Sequence, residues 1–166
     1  MNKKFQDQEA LYQRSKDFRD LVLLAGQAFS FEELKTVCAY IIKSGMYKTH
    51  KPKGRVMKKH LDEPKLDLLI SVTNRLRIKM KTEAQIIEIC ELSTKNVFWR
   101  GYCWNNHGKS PHPKDIFALR EVASSFKGYL LLYQYDSLRR SQYIEALKGL
   151  ALTGEQEKQL NELLSA

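Results

Sequence analysis

The sequence predicts an all-α chain: a multi-helix domain containing a helix-turn-helix, preceded by an N-terminal helical extension. Three observations predict it. Apolar residues recur at three- and four-residue intervals along most of the 166 residues, the spacing of a single helix face. No stretch alternates apolar and polar residues convincingly, as a half-buried strand would. Helix-start chemistry also recurs just ahead of the apolar runs, at Ser30, Thr82 and Thr153, where a hydroxyl can accept from the first unpaired amides.

The elements follow in order. Residues 5–43 read as two helices. Phe5, Leu11, Tyr12, Phe18, Leu21 and Leu24 give the first its apolar face, and Gly26 interrupts or ends it. Ser30 and Glu33 then form a capping box, opening a helix with Leu34, Val37, Cys38, Ile41 and Ile42 on one side and Gly45 as its stop. Tyr47 to Pro64 carries many lysines, few large apolar residues, and the breakers Pro52, Gly54 and Pro64, which reads as an exposed basic loop. Lys65 to Met80 is helical, with Arg77 breaking its stripe. Thr82 caps a helix from Glu83 to about Glu91, Leu92-Ser93-Thr94 is a short break, and Lys95 to about Trp104 is the next helix. Asn105 to Pro113 is a polar loop. Ile116 to Tyr135 is one long helix, or two broken near Gly128. Arg139 to Leu150 is amphipathic, and Thr153 opens a last helix. The expected organisation is an N-terminal helical segment (1–46), a basic loop or linker (47–64), a helix-turn-helix-containing core (65–150) and a C-terminal helix (151–166).

Composition bounds the function. Hydrophobic residues make up 43% and charged residues 28%, ordinary globular usage that excludes a wholly disordered chain. The longest apolar runs, Leu21–Gly26 and Tyr129–Tyr133, fall far short of the roughly 20 residues of a membrane helix. The start, Met1 to Gln8, lacks the apolar stretch of a signal peptide. A cytoplasmic protein with no membrane partner is expected. Lys and Arg number 28 against 19 acids, a net charge of +9, which favours polyanionic partners. An odd cysteine count (Cys38, Cys90, Cys103) and the absence of any C-x-x-C argue against a disulfide framework.

The most informative stretch runs from Ala84 to Tyr102. Ile87, Leu92 and Val97 have the spacing of the buried positions of a helix-turn-helix, and Ser93 or Thr94 would cap its second helix. That helix would present Lys95, Asn96, Trp99 and Arg100. Arg pairs guanine bidentately and Asn pairs adenine. Lys109 and Lys114 would hold phosphates beyond it, and Lys51, Lys53, Arg55, Lys58 and Lys59 would add sequence-independent affinity.

Leu92-Ser93, Tyr102 and the loop Gly108-Lys109-Ser110-Pro111-His112-Pro113-Lys114, followed by the aromatic-rich stretch Ser124 to Tyr133, resemble the core of the FlhC-type family of flagellar and mobile-element master activators. The resemblance covers roughly residues 66–150 and marks a divergent member. It implies sequence-specific binding of double-stranded DNA, transcriptional activation as a hetero-oligomer with an FlhD-like helical subunit, and contact with RNA polymerase. The family's four-cysteine zinc site does not carry over, since no cysteine follows Cys103.

Other chemistry is poorly supplied. Cys103, His107 and His112 are a conceivable ligand trio. Gly108-Lys109-Ser110 lacks the upstream glycine and the strand of a phosphate loop. No enzyme signature occurs and no cofactor is expected. The alternatives are a helical protein-binding adaptor and an RNA-binding helical protein. Finally, Tyr129-Leu130-Leu131-Leu132-Tyr133 is apolar or aromatic all round, which predicts that Leu132 points outward into an oligomer interface.

Overall fold

The computed structural model describes residues 2–44, 46–48, 59–100 and 110–166. Among them are nine α-helices, two three-residue strands and two 3-10 turns, so the all-α class holds, with one short antiparallel pair that the sequence did not disclose. The chain groups into two compact units: one reaches Met80 and takes in Val97–Arg100, and the other holds Lys81–Asn96 and the residues from 110 onward. The expected boundary between 64 and 65 is therefore not where the chain divides.

The first unit begins with α1 (Lys3–Ser15) and α2 (Phe18–Gln27). The sequence expectation of one helix here is corrected. Lys16 takes a left-handed conformation (φ 52°), its N–H closing on the Tyr12 carbonyl at 2.8 Å, and Asp17 caps α2 by accepting from Arg19 N at 2.7 Å. The turn lets α1 and α2 pack on each other, burying Phe5, Tyr12, Leu21 and Leu24. Gly26 lies inside α2, which it neither interrupts nor ends. α3 (Phe31–Ser44) starts at the expected capping box, with Glu33 N donating to Ser30 Oγ at 3.1 Å and Ser30 N donating to Glu33 Oε2 at 3.1 Å. Gly45 lies outside the described residues.

β1 (Met46–Lys48) and β2 (Lys59–Leu61) pair antiparallel. α4 (Glu63–Lys79) follows, capped by Asp62, with Pro64 in its first turn, where a missing N–H costs nothing. α4 packs on α3, its Leu69, Val72 and Leu76 fully or almost fully buried. Arg75 reaches back to the end of α2, donating to the carbonyls of Ala25 (2.8 Å) and Ala28, which serves as a C-terminal cap. Arg77 donates to the carbonyl of Arg100 at 3.0 Å and so ties α4 to the 3-10 turn Val97–Arg100.

In the second unit α5 spans Glu83–Lys95, opened by a full capping box between Thr82 and Gln85. The expected turn at Leu92-Ser93-Thr94 is helix. Thr94 Oγ1 bonds back to the Glu91 carbonyl at 2.8 Å and Ser93 is fully buried, so neither hydroxyl is available as a cap. α6 (Pro113–Val122) begins three residues before Ile116, with Pro113 in its first turn. α7 (Phe126–Tyr135) follows a break at Ala123-Ser124-Ser125, not at Gly128. Glu83 reaches across to that break and accepts from the amides of Ser124 and Ser125. A 3-10 turn (Ser137–Arg139) leads into α8 (Arg140–Lys148), and α9 (Gly154–Ser165) starts at a Thr153–Gln156 capping box. α5, α6 and α7 pack on one another and α7 packs on α8. Leu132 is buried (1% exposed) and Leu131 nearly so. The expectation that Leu132 faces outward is thus overturned: Leu132 is buried within its own chain, while Tyr129, Leu130 and Tyr133 are half-buried.

Candidate nucleic-acid interface

The strongest concentration of positive charge is built between α3 and α4. No acidic residue occurs from Leu34 to Leu61, whereas Lys35, Lys43, Lys48, Lys51, Lys53, Arg55, Lys58 and Lys59 do. The antiparallel register sets Met46 opposite Leu61, Tyr47 opposite His60 and Lys48 opposite Lys59. Lys48 and Lys59, the described residues nearest the 49–58 stretch, are thereby partners in register. Lys65 Nζ donates to the Ser44 carbonyl at the end of α3 (3.1 Å), and its backbone N donates to Asp62 Oδ1 (3.1 Å). A cation on the last carbonyls of a helix also meets the negative end of its dipole. Lys51, Lys53, Arg55 and Lys58 lie outside the described residues, and Lys59 falls in β2.

The residues expected to read bases do not form one helix face. Lys95 is exposed at the last position of α5, and Asn96 is the half-buried C-cap whose N–H bonds the Leu92 carbonyl at 2.9 Å. Trp99 and Arg100 sit in the 3-10 turn of the other unit and are 7% and 3% exposed. Both are corrected from base readers to core residues. The signal was present in Val97-Phe98-Trp99, a contiguous apolar run that a solvent-facing recognition helix has no use for. Lys114 is exposed in the first turn of α6, and Lys109 lies outside the described residues.

Of the conceivable ligand trio, Cys103 and His107 lie outside the described residues. His112 serves as the N-cap of α6, its Nδ1 accepting from Lys114 N at 3.0 Å. Cys38 is wholly buried, and burial pushes its thiol up to about 12, far from a reactive thiolate. No cluster of His, Cys, Asp and Glu among the described residues is placed to hold a metal ion, and no helix among them is long and apolar enough to cross a membrane.

A second basic feature was not anticipated. Asp136, between α7 and the Ser137–Arg139 turn, is 5% exposed and accepts from Arg120 Nε (2.7 Å) and from the Tyr143 hydroxyl. Burial pushes its carboxyl up, but the two donors and the guanidinium charge outweigh that and hold it below the usual aspartate range. Burial and the carboxylate push the Tyr143 phenol up. The exposed residues Leu138, Arg139 and Arg140 follow directly. No sequence motif announces this cluster, because its members come from α6, the residue after α7, and α8.

Comparison with protein families, with curated proteins and with solved structures finds no match to this chain.

Proposed function

We propose that this chain binds double-stranded DNA as a transcriptional regulator of the FlhC type, acting with a helical partner subunit. The observation that carries the reading is the 46–61 segment, whose flanks 46–48 and 59–61 pair antiparallel and whose sequence gathers six lysine and arginine residues and no acid between two helices. A segment this basic suits the phosphate backbone, whose neutralisation releases counterions and supplies most sequence-independent affinity. Lys95 and Lys114 are on the exposed surface, where they could position the duplex, and Asn96 is half-buried beside Lys95. Burial removes Trp99 and Arg100 from that role. Phe29 and Ile78, each 68% exposed beside Leu34, Arg75 and Lys79, supply the apolar surface that a protein partner would cover.

Titration of duplex binding with salt tests the proposal. Each phosphate neutralised should contribute about −0.9 to the log–log slope. Replacing Lys51 and Lys53 together with alanine should reduce the slope by about two units, equally for all sequences. A flat salt response would refute DNA binding and favour the adaptor. Preferential competition by single-stranded RNA would favour the RNA-binding alternative.

A further inference from the structure

We infer that the Ser137–Arg139 turn is a wedge for the minor groove of duplex DNA, with Leu138 entering between two base pairs and Arg139 and Arg140 lying along the groove. The inference rests on the DNA-binding reading above and adds a second contact, with a mechanical consequence for the DNA.

Leu138 is 92% exposed. A lone exposed leucine is ordinary; what sets this one apart is its mounting and its charge surroundings. The turn is pinned on both sides. Asp136 N donates to the Leu132 carbonyl at 2.8 Å, and the Asp136 carboxylate is held by Arg120 from α6 and Tyr143 from α8. On the far side, Arg139 N closes on the Asp136 carbonyl at 3.4 Å. Arg140 Nε donates to the Tyr133 carbonyl at 3.1 Å, with its guanidinium 5.4 Å from the Tyr133 ring centroid. A leucine at the tip of so fixed a turn loses little backbone freedom on insertion. Between Glu121 and Glu145 the one acid is Asp136, and Arg120 already pairs with it, so the exposed tip is cationic. A stable protein interface needs about 800 Å² per partner, and one leucine with two flanking arginines falls well short. The same set is what minor-groove proteins use: an apolar side chain that unstacks one base step, with arginine in the groove beside it.

The test is resonance energy transfer between the labelled ends of a short duplex bound by the full chain. The wild-type protein should draw the ends together, reporting a kink of about 20–90°. Leu138→Ala, at an exposed position, should bind with an unchanged salt slope and affinity reduced at most about tenfold, yet leave the duplex straight. Leu138→Met should keep the kink. Wild-type binding without bending, or equal bending by Leu138→Ala, would overturn the wedge while leaving the role of the 46–61 segment intact. Absence of any duplex binding would overturn both. If Leu138→Ala dissociates an oligomer in sedimentation and bends DNA normally, the turn meets a second copy of the chain and the wedge is refuted.

Discussion

Glu33 should be among the most costly single positions of the first unit. Its side chain is 2% exposed and has no cationic side chain to balance it among the contacts described. Instead Oε1 accepts from Asn2 N (2.9 Å) and Asn2 Nδ2 (3.3 Å), and Oε2 accepts from Phe29 N (2.8 Å) and Ser30 N (3.1 Å). Asn2 in turn caps α1 by accepting from Phe5 N at 2.7 Å. One carboxylate thus sits at the positive ends of α1 and α3 together. Burial pushes its carboxyl up, but the backbone donors prevail and hold it below the usual glutamate range. A hydrogen bond to a charged group contributes about 1.5–3 kcal/mol net. Glu33→Gln replaces one oxygen with an NH₂ that confronts N–H donors, and should cost about 2–3 kcal/mol on that scale. Glu33→Ala removes all four bonds and should cost about 4 kcal/mol after partial rehydration of the donors, against a typical total of about 5–15 kcal/mol. Urea unfolding followed by tryptophan fluorescence reads the right unit, because Trp99 belongs to it. The sign of the pH dependence follows from the lowered value. Between the folded and unfolded carboxyl values the unfolded chain binds more protons, so the stabilisation is complete above about pH 4.3, the unfolded glutamate value, and is lost as pH falls through the folded one. The gap between wild type and Glu33→Gln should therefore narrow below about pH 4. A Glu33→Gln variant within about 0.5 kcal/mol of wild type at pH 7, or a gap unchanged down to pH 3, would refute the reasoning.

Three further outcomes are expected. Ser93→Ala should raise stability by about 1 kcal/mol in urea titration, since the Ser93 hydroxyl is fully buried with no hydrogen-bond partner among the described residues; a loss would mean that the hydroxyl is satisfied. Arg100→Ala should lower the unfolding free energy by about 1–3 kcal/mol and affect all DNA sequences alike, because Arg100 is a core side chain; selective loss of base preference would return it to the interface. Tyr143→Phe should cost about 1–2 kcal/mol by removing one donor from buried Asp136. That loss should fade on acidification below about pH 3.9, the unfolded aspartate value, as the carboxylate held low by Tyr143 and Arg120 is protonated; a loss independent of pH would assign the effect to packing.

Features set by a few neighbouring residues were legible in the sequence. The starts at Ser30, Thr82 and Thr153 are each fixed by a hydroxyl and a Glu or Gln three residues on, and the all-α class follows from a periodicity that survives small errors of boundary. The break between α1 and α2 was half-written in Asp17, a good N-cap, but required Lys16 to adopt a conformation that side chains resist by about 1–2 kcal/mol. Leu92-Ser93-Thr94 misled because Ser and Thr favour turns only when their hydroxyls are free to bond the backbone outside a helix. Here Ser93 is buried and Thr94 bonds back within α5, so packing overrides the local preference. Strands of three residues are too short to show a period, and β1 is defined by the partner that pairs with it. The charge of the 46–61 segment was visible in composition, whereas the Asp136 cluster, joining Arg120 to Tyr143, could emerge only after three helices had been placed.

The return of Val97–Arg100 to the first unit has a consequence for how the chain is made. When residue 80 leaves the ribosome, that unit still lacks Phe98, Trp99 and the Arg100 carbonyl that Arg77 grips. The whole of α5 must be synthesised first, before its own packing partners α6 and α7 exist. A nascent chain therefore passes through lengths at which neither unit is whole and the apolar face of α5, with Ile86, Ile89 and Cys90, has nothing to cover it. Such intervals are when chaperones engage and aggregation begins. A stop codon after Met80 should yield a fragment that fails to fold, where a chain divided once would have released a finished domain.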